Sequence, residues 1–591
     1  MTFTTRPELQ GTFGMVTSTH WLASASGMKI LEAGGNAFDA AVATGFVLNV
    51  VEPQLVGPLG DLPALIWPAG DDTPRMICGQ GPAPAGATVA HYRAEGLTLI
   101  PGSGLLATVI PGAFDAWMLM LRDWGTKPLR EVLEPAIYYA EHGYPILPIT
   151  VDAIAGQAEV FRTEWPTSAE VWLPGGAVPK PGDIFRNPQL AAFWRRLLDE
   201  AEAVEGREAQ IDAARRIFSQ GFVAEAIDTY LRDATVLDGA SGHRKGVLTG
   251  VDMAGWEATI EPALCGTYHG WDIWKGGFWS QGPSLLQALG MLGHKTLDPG
   301  DDADLIHHAV EALQLAFADR DTYYGDPDHS AIPPDLLSDA YAQDRAALIT
   351  PTASRDLRPG RLDEVLADAF LTRATRTVPD GAGAGGGEPT NAHLTKREGD
   401  TVHLDVVDGA GNMVSATPSG GWLQSNPVVP GLGVPLNTRA QMFWLDEGLP
   451  TTLAPGRRPR TTLSPSMARA PDGTRLAFGT PGGDSQDQWQ LMMLLRLVHQ
   501  GMNLQEAIDA PLALSSHLQS SFYPRTVRPN HLLLEPAFGQ EAIAALRARG
   551  HDIEVTDPWA LGRLTAAART PTGLLKAAAT PRLVQAYAAG R

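Results

Sequence analysis

Few stretches of this chain bring together residue types that could do chemistry. Thr401 heads the run Thr401-Val402-His403-Leu404-Asp405-Val406, whose alternation predicts a strand over Val402 to Val406. A threonine hydroxyl is a weak nucleophile until a base sits beside it, and backbone cleavage before Thr401 would place a free amine there. On its own the position is ordinary, because β-branched residues commonly open strands. Pro481-Gly482-Gly483 forms a sharp turn between a predicted strand at Arg475 to Phe478 and an apolar helix from Gln488 to Gln500. His307-His308, with Asp301, Asp302 and Asp304 nearby, could suggest a metal site. Adjacent helix positions point apart, however, and acids suit a capped helix start, so no metal is expected. Gly381, Gly383 and Gly386 satisfy G-x-G-x-x-G without the strand and helix that would give the pattern meaning. No phosphate loop, G-x-S-x-G elbow or H-E-x-x-H pair occurs, so no cofactor is implied.

These residues need a scaffold. Apolar residues recur at helical spacing between Ser18 and Val50, with Gly34-Gly35 as a stop and Asn36 as the next cap, which predicts a tight helical hairpin. A similar pair is expected from Pro111-Gly112 through Trp117 and Leu121 to a break at Gly125, then from Leu129 to Glu141. A third helix is predicted from Ala303 to Tyr324. Asp408 to Asn412 is turn chemistry that returns the Thr401 strand as a second strand over Met413 to Thr417. Between Gly381 and Gly387 glycine fills five of seven positions, which predicts a flexible linker directly upstream of Thr401.

Composition narrows the function classes. The 591 residues allow about four small domains or one large multilayer unit at ~150 residues per domain. Lys and Arg number 45 against 66 Asp and Glu, giving a net charge of −21 that disfavours nucleic acid and anionic membranes as partners. Cys78 and Cys265 are too few for a disulfide framework and are expected to be core residues. The polar N-terminus and the lack of a long apolar run point to a cytoplasmic protein.

The stretch Thr401 to Asp408, followed by Gly411-Asn412, resembles the segment that begins the small subunit of gamma-glutamyltransferases. Other blocks of that family follow in the same order: Gly34-Gly35-Asn36-Ala37 with Asp39-Ala40-Ala41, Pro111-Gly112, Phe317-Ala318-Asp319-Arg320 with Gly325-Asp326-Pro327, Ser464-Pro465, and Pro481-Gly482-Gly483. The resemblance implies an N-terminal-nucleophile hydrolase with an α+β, four-layer αββα sandwich. It implies self-cleavage between Asp400 and Thr401 into a large chain, 1–400, with a Gly-rich tail at 380–400, and a small chain, 401–591; the two stay together as one structural unit. Thr401 would then supply both nucleophile and base, since an α-amine with a pKa of ~7.7–8.0 can take the hydroxyl proton near neutrality. Gly482 and Gly483 match the oxyanion hole, and Ser419 matches a hydroxyl bonded to the nucleophile.

Departures from the family pattern concern specificity. Gln80 stands where the family has an arginine that grips the substrate α-carboxylate, and Met442 falls near the acid that binds the α-ammonium. Thr461 and Thr462 match two hydroxyls that help hold the carboxylate, and Arg439 adds a cation of its own. Removing one partner of a buried charge pair costs ~2–5 kcal/mol, so glutamyl recognition should fall by orders of magnitude. The expected function is therefore hydrolysis or acyl transfer on a small-molecule amide or acyl substrate other than an ordinary γ-glutamyl peptide. Relatives with altered clamps include oxamate-type amidohydrolases, β-lactam side-chain acylases, and carbon–carbon bond hydrolases of lincosamide and pyrrolobenzodiazepine pathways. The alternatives are such a C–C hydrolase using the same threonine, or an unprocessed, non-catalytic relative. Beyond the pairing of its two chains, a higher oligomer stays open.

Overall fold

Two seven-stranded sheets form the centre of the computed structural model, which describes residues 3–374, 401–582 and 585–591. The predicted linker at 381–387 and Asp400 lie outside the described residues. One sheet runs in the order β14 (Tyr587–Gly590), β2 (Gly14–Ser18), β8 (Leu404–Asp408), β9 (Met413–Ala416), β3 (Leu62–Trp67), β4 (Arg75–Gly79), β5 (Thr259–Pro262). The other runs β1 (Leu9–Gly11), β13 (Leu575–Ala579), β12 (Thr565–Arg569), β11 (Arg475–Gly479), β10 (Ser466–Arg469), β7 (Trp271–Lys275), β6 (Leu264–Tyr268). Neighbouring strands in both sheets are antiparallel.

Alternation along the strands sorts side chains into layers. In β3 and β11, Leu65, Trp67 and Ala477 face the other sheet and join Met15, Met76, Trp274, Met413, Met467 and Ala567 in an inner core. The intervening Ala64, Ile66, Leu404, Val406 and Val414 face outward onto helices α1 (Trp21–Glu32), α2 (Ala37–Val51), α3 (Ala113–Trp124) and α4 (Leu129–His142). Leu476, Phe478, Ala566 and Ala568 face the opposite way, onto α5 (Pro283–Gly293), α6 (Asp302–Tyr323) and α7 (Gln486–Leu495). Helix, sheet, sheet, helix is the four-layer αββα order expected from the resemblance.

Side-chain caps start the predicted helices α2 and α6. Asn36 accepts from the backbone of Phe38 and Asp39 while Asp39 bonds back to the Asn36 N–H, a reciprocal cap whose Asn contributes about 1 kcal/mol. Asp39 also accepts from Thr126 and Lys127, fixing the chain after α3. Asp301 caps α6 through Ala303 and Asp304, and His307 spends its two ring nitrogens on His551 and the Thr350 carbonyl. Cys78 is buried, but Cys265 is exposed on β6, the edge strand of its sheet, which corrects the expectation that both are core residues. No helix among the described residues is long and apolar enough to cross a membrane.

Candidate active site

The predicted strand after Thr401 starts later than expected, at Leu404. Pairing of Leu404 with Ala416 sets Val402 opposite Pro418, which has no N–H to donate, and regular pairing lapses there. Contact resumes at Thr401, which bridges Ser419 in antiparallel fashion, and Ser419 in turn bridges Asp61. Directly opposed residues on neighbouring antiparallel strands project to the same face. Thr401, Ser419 and Asp61 therefore form one buried polar row, with the Thr401 and Ser419 hydroxyl oxygens 3.1 Å apart.

Asp61 ends a loop from α2 that Asn437 ties down, its amide bonding the carbonyls of Leu59 and Val109. The Asp61 carboxylate accepts from Arg439 Nε at 2.9 Å, and the guanidinium lies 5.1 Å from the ring of Trp422. Burial pushes the Asp61 carboxyl up, opposed by the charge of Arg439. Arg439 is fully buried, and its Nη1 and Nη2 have no hydrogen-bond partner among the described residues. A guanidinium edge with two N–H donors in one plane matches a carboxylate.

The predicted oxyanion loop leaves β11 at Gly479. Gly482 has φ of +123°, a conformation that favours glycine, and neither Gly482 nor Gly483 uses its N–H in a loop hydrogen bond among the described residues. Gln281 Nε2 donates to the Gly483 carbonyl at 3.0 Å, and Arg320 Nη1 bonds both the Gln281 carbonyl at 2.9 Å and Asp484 at 2.6 Å. Burial acts to raise the Asp484 carboxyl, but Arg320, Arg460 and Ser521 outweigh it and hold the group below its ordinary value. The loop is thus fixed by charge-assisted bonds before any substrate arrives, as oxyanion stabilisation requires.

The remaining predicted residues lie around these two units. Thr461 receives Gln281 N–H on its carbonyl, joining it to the oxyanion support, and Thr462 Oγ1 is buried without a partner among the described residues. Gln80 follows β4, its Nε2 on the Gly81 carbonyl and its Oε1 without a partner among the described residues. Met442 is buried at the end of a short 3-10 turn from Arg439. A cavity of about 390 Å³ lies beside Gly482, bordered by Arg320, Asp484, Phe317, Gln488 and Phe522; Gln80, Arg439, Met442, Thr461 and Thr462 do not line it. Asp61, Trp422, Gln281 and Arg320 emerge from the structure alone as supports of the site.

With this geometry in place, comparison with known proteins is informative. Residues 23–590 match the family described as gamma-glutamyltranspeptidase. The oxamate amidohydrolase proenzyme of Klebsiella pneumoniae subsp. pneumoniae is 33% identical over 584 residues, 97% of each chain. A solved structure described as LmbA2991HD is 51% identical, with a TM-score of 0.93 over 100% of both chains. The cephalosporin acylase from Bacillus halodurans is 28% identical with a TM-score of 0.81, over 100% of this chain and 97% of its own.

Proposed function

The chain belongs to the gamma-glutamyltranspeptidase family, as an N-terminal-nucleophile hydrolase made as a proenzyme, and from that premise we propose that cleavage between Asp400 and Thr401 arms Thr401 against a small anionic amide or acyl donor that lacks the γ-glutamyl ammonium. The observation that carries this reading is the buried row in which Thr401, Ser419 and Asp61 share one face, with Arg439 bonded to the Asp61 carboxylate. Thr401 Oγ attacks the acyl carbon and its α-amine takes the proton. Ser419 steadies the oxygen, and the N–H groups of Gly482 and Gly483 meet the developing oxyanion. Collapse expels the leaving amine, and water or a second amine then releases the acyl group from Thr401.

Arg439 offers its free edge to a carboxylate, with Thr462 as a further donor, while the neutral Gln80 and the apolar Met442 leave an ammonium without a partner. Relatives named for oxamate and cephalosporin support a donor other than glutathione. Glutaryl-p-nitroanilide, which keeps the carboxylate and lacks the ammonium, should turn over ~10²-fold faster than the γ-glutamyl anilide, the factor expected from one buried charge. Brisk release from the γ-glutamyl compound would overturn this assignment. Sequencing of the smaller polypeptide should begin at Thr401, and Thr401→Ala should leave one 63.0 kDa chain without turnover.

The apolar side chain of Met442 and the uncharged Gln80 favour one second reading, C–C hydrolysis. Thr401 Oγ would add to a ketone as its proton passes to the α-amine, the bond to the adjacent carbon would break with its electron pair retained as an enolate, the α-ammonium would protonate that carbon, and water would then release the acyl group from Thr401. Deuterium from heavy water at the released carbon identifies this course.

A further inference from the structure

Between the two sheets the core is apolar on one side and polar on the other. Met15, Trp67, Trp274 and Met413 fill the first part, whereas His403, Asp405, Thr417 and Ser415 occupy the part nearest Thr401, all of them buried. His403 and Asp405 share the Thr401 face of the chain by their spacing of two. His403 Nε2 lies 2.9 Å from Asp405 Oδ1 and Nδ1 lies 2.8 Å from Thr417 Oγ1. A carboxylate only accepts, so Nε2 carries the donated proton, and in the neutral ring Nδ1 accepts from the Thr417 hydroxyl. Asp405 also accepts from Thr17 at 3.2 Å and, across the gap, from Thr565 on β12 at 2.7 Å. Both ring nitrogens and both carboxylate oxygens are therefore engaged.

The ring so held reaches the opposite sheet at Gly479. A Cβ on Gly479 would lie 2.3 Å from His403 Cε1 and 2.6 Å from Nε2, so the imidazole occupies the volume that any other residue there would need. Gly479 is the last residue of β11, three positions before Gly482. Thr401 is two positions before His403 on the facing strand. One immobilised side chain thus spans the gap where the nucleophile's strand and the oxyanion loop's strand face each other.

We propose that His403 is a positioning residue for acyl transfer: its ring, locked by Asp405 and Thr417 and seated on Gly479, sets the separation between the Thr401 hydroxyl and the N–H groups of Gly482 and Gly483. This rests on the reading of Thr401 as the nucleophile. Both ring nitrogens are spent on Asp405 and Thr417, so loss of the ring should lower the rate of the chemical step rather than substrate capture.

p-Nitrophenyl acetate tests this without knowledge of the natural donor. A bond forms between Thr401 Oγ and the acetyl carbon, the ester C–O bond breaks, p-nitrophenolate leaves, and the hydroxyl proton passes to the α-amine. The measured quantities are the p-nitrophenolate burst and the acetyl mass on the small chain. Gly479→Ala displaces the ring without removing a bond, and Thr417→Val removes one bond at nearly constant volume. Each should lower the saturating acetylation rate ~10²-fold, the scale of a small misplacement of reacting groups. The half-saturating ester concentration should stay within about twofold, since capture is untouched. Thr417→Ser should restore the rate. A variant that matures too slowly to give two chains, with an unchanged thermal midpoint, also counts for the proposal, because self-cleavage uses the same hydroxyl. Wild-type rates in both Gly479→Ala and Thr417→Val, or a Thr417→Ser as slow as Thr417→Val, would overturn it; the Thr417 pair decides if Gly479→Ala does not fold. Acetylation of Thr401→Ala at the wild-type rate would instead sink the nucleophile assignment itself.

Discussion

Arg439 concentrates what a single residue can contribute here. Its Nε is spent on Asp61, its planar face lies near Trp422, and its remaining edge has no hydrogen-bond partner among the described residues. Buried donors without acceptors are costly, typically ~1–3 kcal/mol each, so a ligand that supplies two acceptors in one plane recovers that cost. Arg439→Lys keeps the charge but loses the fork; it should raise KM for a carboxylate-bearing anilide ~10-fold, the effect of about one charge-assisted bond, with kcat little changed. Steady-state kinetics on glutaryl-p-nitroanilide check this, and an unchanged KM would remove the carboxylate from this edge. Thr401, Gly482 and Gly483 are singled out by contiguous blocks that resemble the family, and Ser419 by its place in the same resemblance. Asp61 and Arg439 stand 378 positions apart, so no local pattern announces their pairing, and the support His403 gives Gly479 depends on two sheets meeting.

At the level of elements, helical spacing and caps fixed the α1–α2 hairpin and α6 nearly to the residue, because those signals are local. The start of β8 was missed because it depends on Pro418 across the sheet. Helix α2 ends on Glu52, fully buried and bonded by Thr19 and Gln585. Burial pushes the Glu52 carboxyl from an ordinary 4.5 up to about 7, against the Thr19 bond and the Arg563 charge. A carboxyl whose folded pKa is raised holds its proton in the fold where the unfolded chain has lost it. Its contribution is fullest below pH 4.5, declines as pH rises between 4.5 and about 7, and stays unfavourable above that. Glu52→Gln should therefore raise the thermal midpoint relative to wild type in mild alkali and not in acid. Calorimetry across that range checks the sign; an equal shift at both ends would contradict it.

For the whole molecule, the cut proposed at Thr401 does not divide the structure into separable parts. In one sheet β2, β3, β4 and β5 come from residues before 401, while β8, β9 and β14 come from residues after it. In the other, β1, β6 and β7 precede it and the rest follow. Pairs such as β2 with β8, β9 with β3, β1 with β13 and β7 with β10 therefore join the two products. Matured protein should elute from gel filtration at the size of the intact precursor and split into two bands only in denaturant; spontaneous separation at neutral pH would contradict the interleaving. The layer order was legible through resemblance to a family and the β8–β9 hairpin through its turn, whereas the rest of the strand order was not, since it is a property of pairings between distant segments.

The strand that flanks the nucleophile's strand, Gly14–Ser18, is bonded on its other side to Tyr587–Gly590. Synthesis has therefore passed residue 587 before that neighbour is enclosed on both sides. Biosynthesis carries its own timer: a polypeptide stopped short of Tyr587 lacks that flanking strand, and Thr401 is left in an unfinished cradle.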